Sequence, residues 1–147
     1  MKTKISFAIG ITAILISCSK DRLNTKPRLE LLNQTGNEVP VNGALKFEFK
    51  YFDKEGDISD TIYIKKIRLN QKTTTTVRDS FALQVPVAPM QSVGFIDLTL
   101  NYPNLQSALN PGNPPANDTL IFKFVLKDKA NNKSDTVTTD KVVIRRS

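Results

Sequence analysis

The chain has 147 residues, 21 Lys and Arg against 14 Asp and Glu, a formal charge of +7, one Cys, and neither His nor Trp. One cysteine excludes an intramolecular disulfide, and the lack of His excludes an ordinary Ser-His or Cys-His catalytic pair. The cations are scattered among acidic residues and are densest at Lys65, Lys66, Arg68 and Arg145-Arg146. A nucleic-acid footprint would be a concentrated patch with interleaved aromatics. The charge is therefore read as a solvated surface facing anionic lipid or polysaccharide, with no nucleic acid as partner.

Lys2 and Lys4 open the chain, and Ile5 to Ser17 carries no charge. That run falls short of the roughly 20 apolar residues a bilayer-spanning helix needs. A charged start, a short apolar core and small residues before a cut site predict a secretory signal peptide over 1–17. The segment ends Leu15-Ile16-Ser17-Cys18, which resembles the lipobox of bacterial lipoproteins. The resemblance implies a diacylglyceryl group on the Cys18 sulfur, cleavage just before it, and acylation of the new amine. Several acyl chains on one residue anchor stably where one does so only marginally. The alternative is a soluble secreted protein with a lone thiol. Ser19-Lys20-Asp21 resembles part of the Lys-acidic export signal of surface-exposed Bacteroidota lipoproteins. It implies the outer membrane, on the periplasmic face or at the cell surface. Loss of residues 1–17 leaves 130 residues and, as Lys2 and Lys4 go with them, a charge of +5. That size suits one domain over 28–147, joined to the lipid by a polar tether over 18–27.

Arg28 to Leu32 reads as a first strand, and Asn33 to Asn42 as a loop with a brief extended piece at Val39–Val41. Ala44 to Phe52 is the clearest strand: Leu45, Phe47, Phe49 and Tyr51 fall on one face, Lys46, Glu48 and Lys50 on the other. Asp53 to Asp60 is an acidic turn. Thr61 to Leu69 is a strand whose apolar phase shifts between Ile64 and Ile67, predicting a bulge or bend there. Val77 to Val85 is a strand ended by Pro86 and Pro89. Ser92 to Leu100 is another, with a phase change near Phe95-Ile96. Pro103 to Leu109 suits one or two helical turns. Asp118 to Lys127 sends Leu120, Phe122, Phe124 and Leu126 one way, and Ser134 to Arg145 is the last strand. About seven strands with turn signals at intervals of roughly 8–12 residues predict an all-β, antiparallel sandwich, with the two Phe-rich strands central and their rings meeting across the core.

Two stretches carry a further resemblance. Phe52-Asp53-Lys54-Glu55-Gly56-Asp57-Ile58 resembles the acidic turn of PKD-like and cadherin-like immunoglobulin-fold modules. Asp128-Lys129-Ala130-Asn131-Asn132-Lys133-Ser134 resembles the turn before the last strand of bacterial Ig-like domains, with Asn131 where Gly is usual. They imply an immunoglobulin-like sandwich and assign no function. Asp53, Glu55, Asp57 and Asp60 crowd one turn, and Ca²⁺ takes 6–8 oxygen ligands. A calcium site on Asp53, Glu55, Asp57 and, if the turns share an end, Asp128 stands against a hydrophilic turn whose Asp side chains bond local amides. Sugar-stacking aromatics are confined to Tyr63 and Tyr102, against tyrosines at the rim of the core. The expectation is a non-catalytic envelope lipoprotein, a structural or interaction module with a protein or polysaccharide partner. A calcium-stabilised binding module and a carbohydrate-binding accessory protein are the alternatives.

Overall fold

The computed structural model describes residues 26–70, 78–86, 91–105 and 116–146. Cys18 and the signal segment lie outside the described residues, as do residues 106–109 of the expected helical turns. In chain order the elements are β1 (Arg28–Gln34), β2 (Glu38–Val39), β3 (Ala44–Phe52), β4 (Ile58–Arg68), β5 (Arg78–Gln84), β6 (Val93–Asn101), α1 (Tyr102–Leu105), β7 (Asp118–Asp128), β8 (Val137–Thr138) and β9 (Val142–Ile144).

Strict alternation dictates β3. Its even-spaced apolar side chains Leu45, Phe47, Phe49 and Tyr51 are all buried while Lys46 and Glu48 face water, because successive strand side chains point to opposite faces. β3 lies at the centre of a three-stranded sheet ordered β1-β3-β6. β7 alternates in the same way over its whole length and lies within a second sheet ordered β2-β9-β7-β4-β5, with β8 also on β7. The two sheets stack face to face. Phe47 and Phe49 of one meet Phe124 of the other at 4.9 and 4.8 Å between ring centroids, both edge-on, and Phe122 lies 5.8 Å from Phe47. Edge-to-face pairs of this kind add about 0.5–1.5 kcal/mol beyond the area they bury. The core is thus sealed by the two strands that the Phe pattern singles out.

The strand order is immunoglobulin-like. β1-β3-β6 corresponds to strands A, B and E, and β9-β7-β4-β5 to G, F, C and C′. The first strand divides between the sheets. β1 pairs with β3, the chain turns at Gly36 (φ 78°), and β2 then pairs with β9 in parallel. The expected extended piece near Val39 is this strand, and it is the parallel exception in an otherwise antiparallel structure.

Three sequence readings change. First, β4 keeps its phase past Ile64: Ile62, Ile64, Lys66 and Arg68 all point inward, and the register shift falls earlier, between Ile58 and Ile62. The sequence suggested a slip because inward charge is normally too costly. Here ion pairs make it tolerable. Lys66 reaches Asp79 at 2.8 Å, and Arg68 lies 2.9 Å from the fully buried Asp118, which Arg146 also contacts. Second, β6 shows no phase change. Gly94, Ile96, Leu98 and Leu100 point inward and Phe95 points out, 66% exposed. Gly94 is needed because Tyr51 packs where its side chain would be. Third, the last strand is broken into β8 and β9. Between and before them, the hydroxyls of Thr139 and Ser134 accept hydrogen bonds from Phe122 N and Leu126 N at 3.0 Å, standing in for ladder carbonyls.

Candidate functional site

Two places gather polar chemistry. One is the end of the sandwich where β3 turns into β4 and β7 turns toward β8. Asp53 follows the last residue of β3, and its amide bonds Ser92 O at 2.8 Å. Its Oδ2 accepts the Asp57 amide at 2.7 Å and its carbonyl accepts Gly56 N at 3.2 Å. Gly56 at φ 67° closes this turn in a backbone region that favours glycine. The turn so formed brings oxygens of Asp53, Glu55 and Asp57 within 4.8 Å of one another. Asp53 is 2% exposed. Its Oδ1 and that of Asp57 are enclosed without a hydrogen-bond partner among the described residues. Burial pushes the Asp53 carboxyl above the usual aspartate range. The bonded Asp57 amide opposes that push, and the charges of Asp57 and Glu55 add to it.

The 128–134 turn does lie at this end: Lys129 N bonds Asp57 O at 2.9 Å, and Ile58 pairs with Asp128. The Asp128 carboxylate nevertheless stays out of the acidic group. Both of its oxygens are taken by Asn132, Oδ1 by the backbone amide and Oδ2 by the side-chain amide, each at 2.7 Å. Asn131 takes the left-handed φ of 71° that its place in the turn requires. Asp128 thus builds the turn, and the oxygen-rich cluster comprises Asp53, Glu55 and Asp57. Asp60 is exposed and lies outside it. A hollow of about 370 Å³ beside Asp53 is bordered by Lys26, Arg28 and Lys54. Cations so near would hold the affinity for a metal ion to the weak end, roughly the 10⁻⁴–10⁻³ M of extracellular modules.

The second place is the outer face of β4, β5, β7 and β8. A groove of about 640 Å³ crosses it, lined among others by Tyr63, Lys65, Lys123 and Thr138. This is within the size range of small-molecule sites. Tyr63 is 39% exposed here, and Lys127 Nζ sits 5.6 Å from its ring centre. Tyr102, the other sugar-stacking candidate, is a different case. It opens α1, is 6% exposed, and donates its hydroxyl to Arg145 O at the far end of β9. It is a buried clamp, as a Tyr with a polar tip usually is when its ring is in the core. Sequence reasoning missed the groove, since it exists only through cross-strand register. It also missed the Arg68–Asp118–Arg146 cluster. The signal for that was present: Arg68 continues the Ile62-Ile64 phase, and Asp118 continues that of Leu120 and Phe122.

The fold defines a class, a two-sheet immunoglobulin-like β-sandwich, and here comparison with known proteins adds little. No family model matches the chain, and no curated protein matches it in sequence. Among solved structures it is similar to the sporulation control protein Spo0M from Bacillus subtilis, at 10% identity and a TM-score of 0.47, over 83% of this chain and 50% of that one. It is also similar to β-glucosidases from Listeria innocua (9% identity, TM-score 0.44, 81% of this chain and 16% of that one) and Kluyveromyces marxianus (11%, 0.44, 80% and 14%). The chain thus spans half or less of each of these proteins, and none of them lends it a function. Among the described residues, no helix is long and apolar enough to cross a membrane.

Proposed function

We propose that the chain is a cell-envelope lipoprotein of the outer membrane, held by acylated Cys18 and presenting its sandwich as a non-catalytic binding or structural module. The observation that carries this reading is the Leu15-Ile16-Ser17-Cys18 sequence standing ten residues before the first strand. Ten extended residues reach at most about 33–36 Å, a short leash. β1 starts opposite Phe52, next to the acidic turn, and Lys26 contacts Asp135 of the neighbouring connection. That end of the sandwich then faces the membrane, and the Arg145–Arg146 end faces away. Metabolic labelling with palmitate and detergent-phase partitioning test the anchor. The wild type takes up label and enters the detergent phase, and Cys18→Ala does neither. A Cys18→Ala chain that still fractionates with membranes refutes the anchor, and protease shaving of intact cells separates surface from periplasmic placement.

A second reading, a calcium-stabilised module, is favoured by the enclosed, unpartnered Oδ1 atoms of Asp53 and Asp57. Such atoms are normally satisfied by protein, water or an ion. Asp53, Glu55 and Asp57 would supply three of the oxygens Ca²⁺ requires, with carbonyls and water for the rest. Millimolar Ca²⁺ should raise the melting temperature of the wild type and leave Asp53→Asn unmoved. A wild-type melt indifferent to Ca²⁺ removes this reading.

A further inference from the structure

The groove floor is built from two adjoining rows of side chains. Register places Ser80, Lys65, Lys123 and Thr138 side by side across β5, β4, β7 and β8. The next row along the strands pairs Tyr63 with Val125. One row is therefore hydroxyl–cation–cation–hydroxyl, and its neighbour is aromatic and aliphatic. Lys127 stands beyond the second row, four residues from Lys123, which is about 13 Å along a strand.

Two features single this floor out. Like charges directly opposite each other on a sheet are destabilising, yet Lys65 and Lys123 are in register with no acidic partner in reach among the described residues. Elsewhere on the same strands Lys66 and Arg68 are matched with Asp79 and Asp118. In addition, the Thr138 and Ser80 hydroxyls are exposed and make no side-chain hydrogen bond among the described residues.

We propose that this groove binds an acidic oligosaccharide, one built of uronic acid residues. A sugar acid has an apolar C–H face, hydroxyls at its rim and a carboxylate. The Tyr63–Val125 row would take the first, the Ser80 and Thr138 hydroxyls the second, and the lysine pair the third. Over the lysine pair the backbone of β4 and β7 is committed to ladder pairing on both sides, so a peptide lying there could not be held by strand addition, which needs a free edge. A simple anion would use the lysines and leave the aromatic row without purpose. The inference deepens the binding-module reading and does not depend on the lipid anchor.

The test is titration calorimetry of the full chain in detergent with tetragalacturonate, maltotetraose and tripolyphosphate. Tetragalacturonate is expected to bind. Maltotetraose offers rings without charge, tripolyphosphate offers charge without rings, and each should bind weaker by roughly tenfold or more. Tyr63→Ala, and separately the pair Lys65→Gln and Lys123→Gln, should each weaken uronate binding by roughly tenfold. The lysine variants remove a repulsion and should melt no lower than wild type, so lost binding there cannot be lost folding. Equal affinity for tripolyphosphate, indifference to Tyr63→Ala, or no uronate binding at all overturns the proposal. So does a dimer that Tyr63→Ala abolishes, which would make a second copy the occupant. A Cys18→Ala chain that leaves the membrane but binds no uronate overturns the groove proposal and keeps the anchor, and one that stays on the membrane and binds uronate overturns the anchor and keeps the groove.

Discussion

Replacing Asp118 with Asn should destabilise this protein more than its single lost charge suggests. Asp118 is fully buried at the start of β7, and the side chains of Arg68 and Arg146 beside it are 3% and 9% exposed. Asn keeps the shape and removes the negative charge that both guanidinium groups contact. Truncating one partner of a buried ion pair leaves an uncompensated charge in low dielectric, at about 3–5 kcal/mol. That is a large part of the 5–15 kcal/mol by which a domain is typically stable. It corresponds to a fall in melting temperature on the order of 10 °C or more for a body of this size. Urea denaturation followed by circular dichroism measures it, provided the slope of the transition is unchanged. The companion variant Arg68→Met, Asp118→Leu, Arg146→Met removes the whole cluster and should recover most of the loss, because apolar replacement of a buried cluster is often neutral or better. A loss below about 1 kcal/mol for Asp118→Asn, the value of an exposed pair, would show that water reaches these groups and that the argument fails.

Three more outcomes follow from particular contacts. Gly94→Ala would set a methyl 2.5 Å from Cε1 of the buried Tyr51, so it should cost about 1–3 kcal/mol by overpacking, measured by urea midpoint, with part recovered in combination with Tyr51→Leu. Tyr102→Phe leaves the Arg145 carbonyl without its donor; it should cost about 1–2 kcal/mol and leave ligand binding in the groove unaltered, as titration calorimetry would report. Asp53 has a carboxyl raised by burial. The stability linked to its protonation is therefore complete below the ordinary aspartate pKa and is lost as pH rises through the raised folded value. Asp53→Asn cannot ionise and still accepts the Asp57 amide, so its denaturation midpoint should not show this decline between those two values. An identical pH profile for both proteins would place the Asp53 carboxylate in water.

What the sequence made legible was whatever depends on neighbours within a few residues. The period of two in Ala44–Phe52 and Asp118–Lys127 is a local property, and it gave both central strands and the faces on which their rings lie. The acidic turn was legible for the same reason, since Asp53, Glu55 and Asp57 sit within five positions. Readings that relied on polarity to assign direction were less sound. Lys66 and Arg68 point inward because partners from β5, β7 and the C-terminus meet them there, and no single strand announces that. Phe95 points outward because its neighbour Gly94 must face Tyr51. Asp128 resembles a ligand in composition, but Asn132, four residues on, takes both its oxygens. The groove was least legible of all, as it needs the registers of four strands at once.

The two faces of the larger sheet treat positive charge in opposite ways, and this contrast separates structure from function. Inside, each cation of β4 has an acidic partner, because an unpaired buried charge would be prohibitive. Outside, Lys65 and Lys123 face each other without one among the described residues, at a penalty of roughly 0.2–1 kcal/mol that water makes bearable. Stability alone would favour an acid at one of these positions. Lys65→Glu should therefore strengthen the sheet, by creating a cross-strand ion pair with Lys123, and at the same time abolish uronate binding by placing a carboxylate where the ligand's own must lie. If that substitution stabilised the protein and binding persisted, the lysine pair would be incidental surface. If stability rises while binding disappears, the repulsion is retained for the ligand.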